Sequence, residues 1–261
     1  MMITSPHNDK IQLVRSLLAQ RKDREKHQAF VVEGVRLVEE LLRTNQQASL
    51  VLFTARLSER GQAVAKEFAT RGVSVEETTP ELLDSIAGTE TPQGIIAVAR
   101  ITPAPLPADL NFVIALDTVR DPGNAGTILR TAEAAGVQAV FFPPGSVDPF
   151  SPKVVRAGMG AHFRVPILQK PWPQLHAECR ERSPHMRFHL AEVGGGQPIW
   201  QVDMRQPFAL IVGGEAEGAS HDARAFVDQA ITIPMPGPSE SLNAAMAAGI
   251  ILFEVVRQRQ S

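Results

Sequence analysis

Ser239-Glu240-Ser241-Leu242-Asn243-Ala244-Ala245-Met246-Ala247-Ala248-Gly249 follows the run Ile231-Thr232-Ile233 and the turn Pro234-Met235-Pro236-Gly237-Pro238. This reads as a strand, a stiff loop and a helix. Proline fixes φ and offers no N–H, so the turn ends the strand. Side-chain oxygens of the serine pair can cap the free N–H groups that open the alanine-rich helix. Alanine and glycine along the helix let another backbone or a ligand come close. The same unit, an apolar strand feeding a helix through a polar loop, recurs upstream.

Across the second half, apolar runs predict strands at 112–116, 139–142, 163–168, 188–191, 209–212 and 231–233. Helical periodicity predicts helices at 124–135, 153–157, 172–182, 221–227 and 242–257. Near-continuous apolar strands alternating with helices imply a parallel sheet covered on both faces. In such sheets ligands bind in the loops at the carboxyl ends of the strands. The first half reads as a smaller α/β domain. Its strands are expected at 29–32, 50–53, 73–75 and 95–99, and its helices at 9–20, 35–42, 59–70 and 81–86. Residues 21–26 read as an exposed charged turn whose Arg21, Lys22, Arg24 and Lys26 form a candidate RNA-contacting face. Between the halves, Ile101-Thr102-Pro103-Ala104-Pro105-Leu106-Pro107-Ala108 has the composition of an extended linker. The division expected is therefore 1–101, a linker at 102–110, and 111–261.

Composition narrows the function. The 261 residues are 44% hydrophobic and 21% charged, the proportions of a soluble globular protein. A formal net charge of −2 argues against nonspecific coating of nucleic acid, while leaving room for a local basic patch. The single cysteine, Cys179, excludes an internal disulfide framework and a cysteine metal cluster, and suits a reducing cytoplasm. No apolar run is long enough to span a bilayer, so no membrane association is expected; no metal is expected either.

Two further windows carry chemistry. In Asp121-Pro122-Gly123-Asn124, turn residues precede a helix, with Asn124 where an N-cap belongs and Arg130 nearly two turns on. Free N–H groups at that helix start would welcome an anion such as an RNA phosphate. In Val212-Gly213-Gly214-Glu215-Ala216-Glu217-Gly218, glycines follow a buried strand and Glu215 projects from the loop. The glycine spacing is not that of a dinucleotide fingerprint, and no phosphate-binding P-loop is present.

Together these stretches resemble the SpoU (TrmH-type) RNA ribose methyltransferases of the SPOUT superfamily. The resemblance rests on Asp121-Pro122-x-Asn124-x-Gly126-x-Ile128-x-Arg130-Thr131-Ala132, on Gly213-Gly214-Glu215-x-Glu217-Gly218, and on Ile233-Pro234-Met235 with Ser241-Leu242-Asn243. It extends more weakly to Phe30-Val31-Val32-Glu33-Gly34-Val35-Arg36 and Thr91-Pro92-Gln93-Gly94-Ile95, which look like the family's substrate-binding domain.

What the resemblance implies is an α/β-knot domain, its chain threaded through a trefoil knot, preceded by a small ribosomal-protein-like α/β domain. The implied reaction is methyl transfer from S-adenosylmethionine to a ribose 2′-hydroxyl, with ribosomal RNA as the preferred substrate and transfer RNA as the nearest rival. A noncatalytic RNA-binding protein on the same fold is the rival from another class. The resemblance assigns catalysis to Arg130, Asn124, Glu215, Ser241 and Asn243, and cofactor binding to Gly213, Ile233, Met235 and Leu242. Glu215 would orient Arg130 or its own loop. The resemblance also implies a homodimer with a catalytic site built across it. Ala216 and Ala245 depart from the family's frequent glycine and serine. Glu240 puts a carboxylate near the expected RNA path. His162 and His221 titrate in the right range for a base, but neither lies in a motif.

Overall fold

The computed structural model describes every residue except Met1, Asn45, Glu90, Pro103, Ala104, Ala216, Ser239 and Ser261. The linker expected at 102–110 therefore falls partly outside the described residues, as does the Ala216 departure. In chain order the elements are α1 Asp9–Ala19, α2 Arg21–His27, β1 Ala29–Glu33, α3 Val35–Arg43, β2 Ala48–Phe53, α4 Glu59–Thr70, β3 Ser74–Glu77, α5 Pro80–Asp84 and β4 Ile95–Arg100. There follow β5 Phe112–Leu116, α6 Pro122–Ala134, β6 Ala139–Phe141, α7 Pro152–Gly158, β7 Ile167–Leu168, α8 Trp172–Arg182, β8 Arg187–Ala191, β9 Gln197–Pro198, β10 Phe208–Val212, α9 His221–Arg224, β11 Gln229–Thr232 and α10 Ala244–Gln260. Short 3₁₀ turns span Ala161–Phe163 and Ile199–Gln201.

The chain forms two compact units that part at 102/103, within the expected linker, and differ from the expected division in residues 150–163. Unit 1 is residues 1–102 together with 150–163; unit 2 is 103–149 with 164–261. A segment numbered inside the second half is thus lodged in the first unit.

Unit 1 holds a four-stranded sheet in the order β1-β4-β2-β3. β4 runs antiparallel to both of its neighbours and β2 pairs with β3 in parallel. Every residue of β1 is buried, so both its faces are covered. On one face Ala29 and Val31 join Ile11, Val14, Leu17 and Leu83. On the other, Phe30 meets Phe150 at 5.1 Å and Phe163 at 6.3 Å between ring centroids, both supplied by the 150–163 segment.

The charged run 21–26 is a helix, α2, not the expected exposed turn. Asp23 lies in its first turn and Arg24, Lys26 and His27 in its last, which suits the helix dipole. Arg24 is 5% exposed and donates to the carbonyls of Leu17 and Leu18 at the end of α1. It satisfies carbonyls that a helix end leaves open, so its assignment as an RNA contact is corrected. Lys22 and Lys26 remain exposed, as does Arg21, which pairs with Glu25 at 2.8 Å.

Unit 2 holds a seven-stranded parallel sheet, β7-β6-β5-β10-β8-β11-β9. Parallel pairing demands crossovers, and the helices supply them. One face packs on Trp172, Leu175 and Cys179 of α8; on the other, α10 packs against α6 and β10. The strand expected at 163–168 shrinks to Ile167–Leu168, and its first expected residue, Phe163, closes a 3₁₀ turn. The short strand β9 was not foreseen. β11 runs between β8 and β9, with residues 192–196 linking those two strands past it. Gly196 has φ +85°, and a Cβ there would stand 2.4 Å from the carbonyl carbon and oxygen of Ala230, so only glycine lets the link pass.

Among the described residues, no helix is long and apolar enough to cross a membrane, and no group of three or more His, Cys, Asp or Glu could hold a metal.

The role of 150–163 is testable. A shortened protein beginning at Leu106 strips the cover from Phe150, Val154, Val155 and Phe163, all buried in the full chain. It is expected to bind the dye ANS strongly, as exposed apolar surface does. Weak dye binding with a sharp melting transition would show that the segment needs no partner.

Candidate functional site

The site stands at the carboxyl ends of β5, β10 and β11. Asp117, the first residue after β5, is fully buried. Its Oδ1 accepts from Trp172 Nε1 at 2.7 Å and from Ser220 Oγ at 3.0 Å, and its Oδ2 accepts from Ser220 N at 2.6 Å. Ser220 in turn caps α9 by accepting from Ala223 N. One carboxylate therefore ties the end of β5 to the far end of the loop that follows β10. Thr118 holds the near end. It stands at φ +56°, an uncommon conformation for a β-branched residue. Its Oγ1 accepts from Gly214 N at 3.3 Å and lies 3.1 Å from Gly218 O. Gly214 and Gly218 also bond each other in both directions, closing a tight loop.

α6 starts with Pro122 at its first turn and Asp121 as its cap; Asp121 Oδ1 accepts from Asn124 N at 2.7 Å. The expectation that Asn124 is the cap is corrected, and its side chain is left for other partners. α10 is capped by Asn243, whose Oδ1 accepts from Ala245 N at 2.9 Å and Met246 N at 3.2 Å. The cap comes from this asparagine; of the expected serine pair, Ser239 lies outside the described residues.

These assignments fix the amides. With its oxygen on the helix, Asn243 presents Nδ2 to Asn124 Oδ1 at 2.9 Å, and Asn124 presents Nδ2 to Glu215 Oε1 at 2.6 Å. Three segments far apart in sequence meet in a single chain of side-chain hydrogen bonds. Glu215 is thus bound to Asn124; of its two expected roles, orienting Arg130 or its own loop, no contact with Arg130 is made within this chain among the described residues.

Beside this chain lies a cleft of about 560 Å³, lined by Gly213, Gly214, Glu215, Ser241, Leu242 and Asn243 and walled by Glu192 and Val193 beyond β8. An apolar recess of about 60 Å³ shares Leu242, Glu192 and Val193 with it and adds Ile233, Met235 and Ile251. The volume lies in the roughly 300–1,000 Å³ range of small-ligand sites. All four predicted cofactor residues, Gly213, Ile233, Met235 and Leu242, line one or both cavities. A Cβ at Gly213 would stand 2.5 Å from Ala219 N and Gly218 C, so glycine there makes room for its own loop's return.

Arg130 is exposed and makes no hydrogen bond or ion pair among the described residues. Six residues beyond Asn124, it lies about 9 Å along α6 and about 120° around it, and it does not line the cleft. Glu133, three residues further along α6, pairs with Arg164. His221 is fully exposed beside Asp222, and His162 is buried in unit 1 near Phe30 and Phe150. Neither lines the cleft. Ala245 is buried, where a methyl suffices, and Glu240 is exposed outside the cleft lining. Sequence reasoning missed Glu192 and Val193, although loops at strand carboxyl ends were the place to look. It also missed the anchoring by Asp117 and Thr118.

Residues 111–253 match the SpoU rRNA Methylase family, and residues 8–97 match the MRM3-like substrate binding domain. The chain belongs to the SpoU rRNA methylase family. It is 31% identical to the 23S rRNA (guanosine(2553)-2′-O)-methyltransferase RlmP of Bacillus subtilis, over 97% of this chain and 98% of that one. It superposes on an AdoMet-bound rRNA methyltransferase from Sinorhizobium meliloti with a TM-score of 0.86 at 30% identity, covering 98% and 97% of the two chains. For the SpoU methyltransferase AviRb of Streptomyces viridochromogenes, in complex with the cofactor AdoMet, the TM-score is 0.87 at 28% identity, covering 98% and 99%. The match to SpoU methylases thus spans the whole site and both units.

For this SpoU methylase, Asp117→Ala would strand the buried Trp172 N–H and the Ser220 N–H without acceptors. The expected loss is about 3 kcal/mol. Urea denaturation should show a lower midpoint with an unchanged slope; a midpoint equal to wild type would remove Asp117 as the anchor.

Proposed function

We propose that the protein transfers a methyl group from S-adenosylmethionine to a ribose 2′-hydroxyl of ribosomal RNA. The observation that carries this is the hydrogen-bond chain Asn243–Asn124–Glu215 at the edge of the cleft. The cleft suits the cofactor. The apolar recess of Ile233, Met235 and Leu242 offers a surface for a purine, and the Glu215 carboxylate complements a ligand with cationic groups, while Glu192 is already paired with Arg224 of the same wall at 2.6 Å. When bound, the cofactor supplies an activated methyl, so the protein's task is to position the hydroxyl and favour charge on its oxygen. Relatives that match over nearly the whole chain act, by name, on 23S rRNA, which supports ribosomal over transfer RNA.

Asn124 and Asn243 have their amides oriented and are ready to hold the ribose. Ser241, on the cleft wall, adds a hydroxyl beside them. A guanidinium stays protonated, so Arg130 serves by binding the 2′-oxygen and an adjacent phosphate as negative charge develops. Its position away from this chain's own cleft supports a homodimer in which each site takes Arg130 from a second copy. Met246 and Phe253, 60% and 47% exposed and seven residues apart along α10, offer an apolar stripe to that copy. The β11 strand, set between β8 and β9, is the segment through which the implied trefoil knot would be threaded. The same reading puts the protein in the cytoplasm with its RNA.

Single-turnover methyl transfer tests the assignment. Arg130→Ala is expected to bind S-adenosylmethionine normally and lose roughly 10²–10³ in rate, with only partial recovery in Arg130→Lys, which lacks the planar fork. If the site spans two copies, mixing Arg130→Ala with Asn243→Ala protein should restore about a quarter of wild-type activity, since half the dimers are mixed and each holds one intact site. Wild-type rates in Arg130→Ala would end this role, and no recovery on mixing would confine the site to one copy.

A further inference from the structure

Two N-terminal stretches remain unused by the catalytic reading, Phe30–Arg36 and Thr91–Ile95, and unit 1 brings them together. Gly34 N donates to Ile95 O at 3.2 Å, and Val35 N donates to Gln93 Oε1 at 2.8 Å. They border a cleft of about 350 Å³ at the N-terminal end of α3. Two arginines line it, Arg36 from the first turn of α3 and Arg156 from α7, together with the carboxylate of Glu33.

Arg36 is not engaged by the fold, and Arg156 only through a long ion pair. Arg36 is exposed and makes no hydrogen bond or ion pair among the described residues. Arg156 is 31% exposed, and its Nη1 lies 3.9 Å from Glu33 Oε2, beyond hydrogen-bond reach. Glu33 spends its carboxylate elsewhere: it accepts from Gly88 N at 3.0 Å and from Thr89 Oγ1. It therefore steers the Arg156 guanidinium electrostatically and leaves its donors open. The backbone adds to them. Gly34 gives α3 no side-chain cap, Gln93 takes only Val35 N, and the next two N–H groups of the first turn have no partner within the helix.

We infer that this cleft is a phosphate-binding subsite for the RNA backbone. The inference rests on the proposal that the substrate is RNA. Two guanidinium forks and a helix N-terminus match phosphate oxygens. Among the described residues no aromatic side chain lines the cleft for a base to stack on, so the subsite positions the RNA and reads no sequence. It also relocates the contact from α2, where Arg24 is turned inward. One of its two arginines comes from within the residues that match the methylase family, so the 150–163 segment carries part of the substrate site.

The test uses the full-length protein and a fluorescein-labelled ribosomal RNA hairpin, with binding followed by anisotropy across a salt series. Arg36→Gln is expected to weaken binding roughly tenfold and to make the log–log salt slope shallower by about 0.7–0.9, the loss of one phosphate contact. Arg156→Gln should do the same and Arg156→Lys should recover part of it. Calorimetric affinity for S-adenosylmethionine should stay at the wild-type value, which shows that the variants fold. Wild-type RNA affinity and slope in Arg36→Gln would overturn the subsite. So would a loss seen in Lys22→Gln with Lys26→Gln but not in Arg36→Gln. Inorganic phosphate binding that Arg36→Gln abolishes, with RNA affinity untouched, would make this a free-anion site and overturn the RNA assignment. Failure of the wild-type protein to bind or methylate any RNA would instead sink the proposed function. Normal methylation alongside an unaffected Arg36→Gln would sink the subsite alone.

Discussion

A carboxylate with no exposed surface must find donors for its oxygens, and Asp117 finds them in Trp172 and Ser220. That requirement fixes more than one contact. Trp172 opens α8 on one face of the sheet, so the indole hydrogen bond ties that helix to the end of β5. Ser220 ends the glycine loop and begins α9, so the same carboxylate sets where the loop returns. Thr118 next door, held at positive φ, pins the loop's start. The cleft wall is thus built from backbone that cannot relax independently, the condition for a site that is preorganised before its ligand arrives.

The second constraint is directional. Asn243 caps α10 with its oxygen, so its amide nitrogen must face Asn124, and Asn124 must then face Glu215. Each amide has one free choice, and the helix end makes it for both. A change at the start of α10 therefore reaches Glu215 through two hydrogen bonds, with no movement of the sheet between them. The three motifs are coupled by hydrogen bonding as well as by proximity.

Much of this was legible in the sequence. Apolar runs located β5, β10 and β1, and periodicity located α4 and α8 within a residue, because burial and helix period are local signals. The motif residues Asn124, Glu215 and Asn243 were found, as were the four cavity-lining positions. What escaped depended on contacts far apart in the chain. The charge run of α2 reads as solvated surface, yet Arg24 folds back onto carbonyls of α1. The 150–163 segment has no sequence mark that sends it to the first unit. β9 is two residues long, and nothing in Gln197-Pro198 suggests a strand until β11 lies beside it. Gly213 was placed at the cleft, but that a side chain there would strike the loop's own returning backbone depends on a closure the sequence does not show.

The placement of β11 has a consequence for how the protein is made. β8 and β9 leave the ribosome before β11, yet β11 lies between them, so the two earlier strands cannot zip onto each other. They must hold a gap, bridged by the link through Gly196, until a later segment arrives to fill it. Until then the edges facing the gap have unpaired backbone, and the walls that β8 and α10 give the cleft have no fixed spacing. Assembly of the catalytic half is therefore a late, long-range event, the kind of step that slows folding. The cleft, whose wall also takes Ser241, Leu242 and Asn243 from beyond β11, is complete only once that insertion has been made and α10 has docked.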